Sequence, residues 1–262
     1  MIIDGRAIAK KLKLKLREEI SSLGSPLRLE VILVGDDKAS AQFVGIKEKL
    51  GNELGVGVRR HEYEVGVAEE DLAELITRLN NDEKSTGIII QLPLPAHLDS
   101  EKLSNLIAPH KDVDALGREA RVLSPVVGAV QEILKQANIS VQDKKVLVLG
   151  QGKLVGKPIA IWLTQEGAAV SVADKDTQNT EELLNQAEII VTGIGQAHFI
   201  KPQMIKDGVV LIDAGTSESS GQLVGDADPT CADKCAVFTP VPGGVGPITV
   251  AKIFENLVKL RD

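Results

Sequence analysis

The sequence predicts an α/β protein of two domains. Three observations carry this. Short apolar runs alternate with helical patterns along the first part of the chain, which implies parallel strands with helices packed on the sheet faces. The run Lys145-Val-Leu-Val-Leu149 leads into a glycine-rich turn and a further helix, the opening of a Rossmann-like dinucleotide-binding unit. The chain has 262 residues, 43% of them hydrophobic, enough for two modest cores. Aromatics contribute only 2%, so those cores are aliphatic.

The elements follow in order. Residues 7–23 have helical spacing, with Lys10, Lys11, Lys13, Lys15 and Arg17 interleaved with Leu12, Leu14 and Leu16. That is a solvated helix face rather than a nucleic-acid patch. Residues 29–34 form an apolar strand that stops at the turn Gly35-Asp36-Asp37. A helix over 40–54, a strand over 58–65 and an amphipathic helix over 69–80 follow. Gly87-Ile-Ile-Ile90 marks a buried strand over 86–91, ended by Pro93 and Pro95, and a short helix covers 100–107. The second unit opens near Ser124 with a helix over 127–136 and a strand over 145–150. A loop at 151–158 leads to a helix ending at 166. Strands at 169–173, 189–192 and 209–213 and a helix at 181–186 complete it. The last helix, 250–260, carries Val250, Ile253, Phe254, Leu257 and Val258 on one face and returns to the first domain. The expected domains are therefore 1–118 with 248–262, and 119–247.

The segment 239–249, Thr-Pro-Val-Pro-Gly-Gly-Val-Gly-Pro-Ile-Thr, holds three prolines and three glycines in eleven residues. Such backbone is either fixed or freed, which excludes an ordinary helix or central strand. It reads either as a ligand-contacting loop or as a domain-crossing linker, and its apolar composition favours the loop.

A net charge of −7 argues against a nucleic-acid surface. No signal peptide and no apolar run of membrane length is present, so a cytoplasmic protein with no membrane partner is expected. Cys231 and Cys235 have neither thioredoxin spacing nor further cysteines to complete a zinc site; no metal is expected.

The chemistry-bearing motifs lie at predicted strand ends. Gly150-Gln151-Gly152-x-x-x-Gly156 joins a strand to a helix, with one more residue than the common dinucleotide fingerprint. Its physical task is the same: a tight turn, close approach of a pyrophosphate and a helix start aimed at it. Asp174 ends the next strand, 22 residues after Gly152, where an acid accepts from a ribose 2′-hydroxyl. Lys175 beside it points instead to a phosphate. The turn Thr192-Gly193-Ile194-Gly195 is a second cofactor-contacting candidate. In the first domain Gln91 lies at the C-terminal edge of a buried strand, where ligands bind in such sheets. Lys47 lies one helical turn after Phe43; a lone lysine on a helix is ordinarily solvated. Lys111-Asp-Val-Asp114 lies at the junction of the two domains, either as a charged linker or with Asp114 holding a basic heterocycle.

Together these segments resemble the methylenetetrahydrofolate dehydrogenase/cyclohydrolase family, bifunctional bacterial folate enzymes. The match runs nearly the whole length: Ile3-Asp-Gly5, Val34-Gly-Asp-Asp-x-Ala-Ser40, Gly87 through Gln-Leu-Pro-Leu-Pro95, Lys111 to Asp114, Gly150 through Val155-Gly-Lys-Pro158, Leu223-Val-Gly-Asp226 and 239–249. The resemblance implies two domains flanking a cleft, with folate against Pro242, Gly243 and Gly244. It implies NAD- or NADP-linked oxidation of 5,10-methylenetetrahydrofolate, then hydrolysis of the methenyl product to 10-formyltetrahydrofolate. It assigns catalysis to Lys47, positioned by Gln91, with Asp114 anchoring the pterin and Phe43 stacking on it. It also implies a homodimer, formed mostly through the Rossmann unit.

The chain departs from the family pattern in places. Phe43 replaces the usual tyrosine, Ala115 replaces a glycine, and the 115–124 stretch is shorter than usual. Gln151-Gly152 replaces an Arg-Ser pair, which together with Asp174 favours NAD. Phe43 and the short stretch leave open a dehydrogenase with little cyclohydrolase activity. A non-catalytic folate- or nucleotide-binding paralogue is the third reading.

Overall fold

A computed structural model describes every residue except Lys175, Ser220 and Asp262. The chain divides into two compact units, Lys10–Pro125 with Val250–Asp262, and Met1–Ala9 with Val126–Thr249.

The first of these is built from α1 (Gly5–Ser22), β1 (Arg28–Val34), α2 (Lys38–Leu54), β2 (Gly57–Tyr63), α3 (Glu69–Asn81), β3 (Gly87–Ile90) and α4 (Ser100–Leu106). Its three strands run parallel in the order β2-β1-β3, with Leu29 opposite both Val58 and Gly87. The central strand β1 and its neighbour β3 are buried almost throughout, which is why they read as unbroken apolar runs. Glu30 is the exception on β1: fully buried, it is paired with Arg28 and with His61 Nε2 at 2.7 Å. Helix α2 starts where Asp37 accepts from the Ser40 amide at 2.7 Å, and ends at Gly55 in the left-handed region.

The second unit contains α5 (Pro125–Gln136), β4 (Lys145–Leu149), α6 (Gly156–Gln165), β5 (Ala169–Ala173), α7 (Thr180–Gln186), β6 (Ile189–Thr192), β7 (Val210–Asp213), β8 (Ser217–Ser219), β9 (Gln222–Val224) and β10 (Val237–Phe238). Five strands run parallel in the order β10-β7-β6-β4-β5, and β8 pairs antiparallel with β9. The direction of winding reverses between β4 and β6, so the loops after these two strands flank the switch point where such sheets bind ligands.

The compact units differ in extent from the expected 1–118 and 119–247: the first nine residues group with the second unit, and the division falls after Pro125. The cause is backbone pairing: Ile3 N donates to Phe238 O at 2.8 Å and Phe238 N to Met1 O at 3.0 Å, extending the sheet beyond β10. The segment 239–249 is also partly helical, because the final helix α8 (Val245–Lys259) begins inside it. Pro247 is the third residue of that helix, where an amide has no partner inside the helix to lose. From Val250 onward α8 packs on the first unit's core, where Phe254 and Leu257 are fully buried alongside Leu29, Val31 and Ile89. Burying each such side chain contributes about 1.5–3 kcal/mol. Among the described residues, no helix is long and apolar enough to cross a membrane.

Candidate active site

The buried residues of α2 are Ser40, Val44, Lys47, Leu50, Gly51 and Leu54. Lys47 therefore occupies a core position of an amphipathic helix, and only 7% of it is exposed. The ordinary expectation of a solvated lysine does not hold. Its Nζ donates to Oε1 of Gln91 at 2.7 Å. Gln91 follows β3 and is itself fixed, by its backbone amide to Ile32 O and its Nε2 to Leu92 O, both at 2.9 Å. With the amide nitrogen committed to a carbonyl, the glutamine oxygen is the atom that faces the lysine.

Burial lowers the Lys47 pKa from its ordinary value, and the nearby Asp114 charge only partly opposes this. Asp114 responds inversely. Desolvation pushes its carboxyl up to about 6, against the pull of Lys47 and with the help of Asp112. The residue still reaches solvent at one edge while protein surrounds its carboxylate. Lys47, Gln91 and Asp114 thus form a lysine–amide–carboxyl group within one unit, with the two ionisable members shifted toward neutrality.

The turn holding Asp114 is organised by Asp112, which is 1% exposed and accepts from the Gly117 amide at 2.8 Å. Ala115 adopts φ 54, a left-handed conformation costing a residue with a Cβ about 1–2 kcal/mol, which accounts for the glycine expected there. Phe43 is 38% exposed, one turn before Lys47. A surface cavity of about 830 Å³ borders Asp112 and is lined by Lys102, Asn105 and Arg118, but by neither Lys47 nor Gln91; it lies apart from this chemistry.

In the other unit the glycines divide by task. A Cβ on Gly156 would lie 1.9 Å from Gly150 O, and one on Gly193 would lie 2.4 Å from Val155 Cγ1. Gly156 lets the start of α6 close against the end of β4, and Gly193 lets the loop after β6 close against the loop after β4. Gly150 and Gly195 have positive φ, 104 and 69. A Cβ on Gly152 would meet nothing within 4 Å, so that position faces open space beside the start of α6. Gln151 Nε2 donates to Asp174 Oδ2 at 2.8 Å, and the other Asp174 oxygen accepts from Thr177 Oγ1 and the Asp176 amide. Lys175 lies outside the described residues.

Pro242 is exposed, Gly243 has φ 109, and Gly244 N donates to Pro240 O at 2.7 Å. Gly5 is required beneath them, since its Cβ would lie 1.8 Å from Gly244 O. Motif reading gave no role to Asp226, yet this buried carboxylate receives the Thr192 hydroxyl and the amides of Ile194 and Gln196. Leu223-Val-Gly-Asp226 carried part of the family resemblance, but nothing local to it announces this task.

Paired glycine-rich loops at the switch point of a parallel sheet, with open space beside a helix start, are the arrangement of a dinucleotide-binding α/β protein. The catalytic-domain model of the tetrahydrofolate dehydrogenase/cyclohydrolase family matches residues 3–114, and its NAD(P)-binding-domain model matches 112–262. The chain belongs to this family. The bifunctional protein FolD of Halothermothrix orenii is 37% identical, with 99% of this chain and 97% of that protein covered. The crystal structure of the bifunctional FolD enzyme from Campylobacter jejuni superposes with a TM-score of 0.95 at 34% identity, covering 100% of this chain and 98% of that one. The Trypanosoma brucei FolD, solved with NADP and an inhibitor, gives 0.94 at 32% identity, covering 100% and 97%.

Proposed function

We propose that this chain oxidises 5,10-methylenetetrahydrofolate to the methenyl form, preferring NAD to NADP, and hydrolyses the methenyl form to 10-formyltetrahydrofolate, with Lys47, Gln91 and Asp114 as its catalytic group. The observation that carries this is the buried Lys47–Gln91 hydrogen bond. Bound nicotinamide supplies the hydride acceptor for the first step. In the second, a neutral Lys47 takes a proton from water as the water oxygen bonds to the methenyl carbon. The carbinol oxygen then forms the formyl C=O as the bond from that carbon to N5 breaks; the electron pair of that bond stays on N5, which takes up the proton the carbinol gives up. Gln91 holds the amine in place without adding charge. Asp114 offers two carboxylate oxygens to the N–H donors of the pterin, and the exposed ring of Phe43 offers a stacking face.

NAD preference rests on Asp174 and Gln151. A carboxylate at the strand end accepts from a 2′-hydroxyl and repels a 2′-phosphate, and the neutral Gln151 side chain orients it. The test is the ratio of kcat/KM for NAD and NADP. Asp174→Ala is expected to erode an NAD preference, and an unchanged ratio removes Asp174 from the ribose site. We further propose that two copies associate along the sheet edge at β5. Val172 on this edge strand is 40% exposed and Ile161 on α6 is 52% exposed. Sedimentation of Val172→Lys beside the parent checks it; a mass unchanged by the substitution refutes that interface.

The absence of a hydroxyl at Phe43 favours a second reading, a dehydrogenase with a slow second step. A spectroscopic assay separates the two. Nucleotide reduction without lasting methenyl build-up supports both activities, whereas stoichiometric methenyl accumulation supports dehydrogenation alone.

A further inference from the structure

Beneath the loop that follows β6 lies a pair of buried carboxylates. Asp226 is 0% exposed and Asp213, the last residue of β7, is 1% exposed. Their described partners are neutral donors. Asp226 Oδ2 accepts from Thr192 Oγ1 and Ile194 N, and its Oδ1 from Gln196 N, all at 2.8 Å. Asp213 accepts from Gly215 N at 2.9 Å and Ala227 N at 2.8 Å. Each carboxylate rests against a glycine flanking the other: a Cβ on Gly215 would lie 2.1 Å from Asp226 Oδ2, and one on Gly225 would lie 2.2 Å from Asp213 Oδ2. The two acidic segments are therefore locked reciprocally, and the side chain of Asp226 is the part of this lock that reaches the glycine-rich loop.

A loop with glycines at 193 and 195 has much conformational freedom to lose when a ligand binds. Three donors from Thr192, Ile194 and Gln196 converging on one carboxylate remove that freedom in advance. We infer that Asp226 is a positioning residue for nucleotide binding, holding the 193–196 loop in its binding shape from below without touching the nucleotide. This rests on the reading of Gly193–Gly195 as a nucleotide contact.

The test is Asp226→Asn, an isosteric change that presents an NH2 group where at least one of the three donors needs an acceptor. The expected result is an NAD KM raised roughly tenfold or more, the scale of one lost charge-assisted hydrogen bond. Turnover at saturating NAD should stay near the parent's, and cyclohydrolase activity on methenyltetrahydrofolate, which consumes no nucleotide, should be unchanged. Hydrogen exchange of the 193–196 amides should be faster in the variant without nucleotide. If Asp226→Asn does not fold, Thr192→Val carries the test, with a several-fold rise in NAD KM that Thr192→Ser reverses. An unchanged NAD KM overturns the inference, as does an equal loss of both activities. If nucleotide fails to slow exchange of these amides in the parent, the reading of the loop itself is wrong. If nucleotide slows exchange but the variant behaves as the parent, only the role of Asp226 fails.

Discussion

The Lys47 ammonium position and the Gln91 amide oxygen are 2.7 Å apart, and both side chains are buried. An amide oxygen accepts from the lysine whether or not the lysine is charged, so it fixes the amine without fixing its proton. A carboxylate in the same place would stabilise the ammonium and work against the desolvation that lowers the lysine's pKa. Gln91→Glu is therefore expected to reduce cyclohydrolase turnover at neutral pH at least tenfold, with partial recovery as pH rises. Lys47→Ala should abolish it at every pH while the protein stays folded. Pre-steady-state hydrolysis of the methenyl substrate across pH measures both. Parent-like ring opening in Lys47→Ala removes the lysine from the mechanism.

The exposed ring at Phe43 precedes Lys47 by one helical turn. Phe43→Tyr adds one hydroxyl at a position with solvent access, so its effect on folding should be within about 0.5 kcal/mol. A several-fold increase in cyclohydrolase rate, with the dehydrogenase rate little changed, is the expected outcome. If neither rate moves, the missing hydroxyl does not limit the second step.

Burial pushes the Asp213 carboxyl up to about 7, with the Asp226 charge adding to the effect, from an ordinary value of 3.8. Between those values the folded protein binds more protons at this site than the unfolded chain. Raising the pH through that window therefore lowers stability, and the loss levels off above about 7. Asp213→Asn lacks this ionisation. Urea midpoints of parent and variant should shift relative to each other from pH 4 to 7, to the parent's growing disadvantage. Midpoints that run parallel across that range place the Asp213 pKa near its ordinary value.

Gly156 and Gly152 share one motif and differ in surroundings. Gly156→Ala forces a methyl group into the Gly150 carbonyl, and a loss of about 1–3 kcal/mol or more is expected. Gly152→Ala enters open space and should leave the melting temperature within a few degrees of the parent. Any rise in nucleotide KM in that variant then reports contact with the ligand rather than damage to the fold.

Elements whose surroundings are uniform were legible in the sequence. β1, β3, β4 and β6 are enclosed on both faces, and their apolar runs announce it. The hairpin of β8 and β9 was not legible, because Ser217-Glu218-Ser219 and Gln222-Leu223-Val224 are largely exposed and carry no apolar alternation. Nor was the pairing of Ile2 with Phe238, a backbone contact between residues remote in sequence. Among the candidate residues, the glycine spacing and Gln91 stood out on local grounds. Lys47 did not, since its position on the buried stripe of α2 shows only once Val44 and Leu54 are seen to point the same way. Asp226 needed the fold, because its three partners come from a loop some thirty residues away.

The two units are interleaved along the chain, and this orders events during synthesis. The nucleotide unit is begun by Met1–Ala9, interrupted by the whole of Lys10–Pro125, and finished only at Thr249. The catalytic unit in turn waits for Ile253, Phe254 and Leu257 to cover Leu29, Val31 and Ile89. A nascent chain stalled near residue 125 therefore displays an uncovered aliphatic surface, and both units wait for the last part of the chain. Exposed aliphatic surface of this kind is prone to aggregation, so a truncation that removes α8 should cost solubility before it costs chemistry.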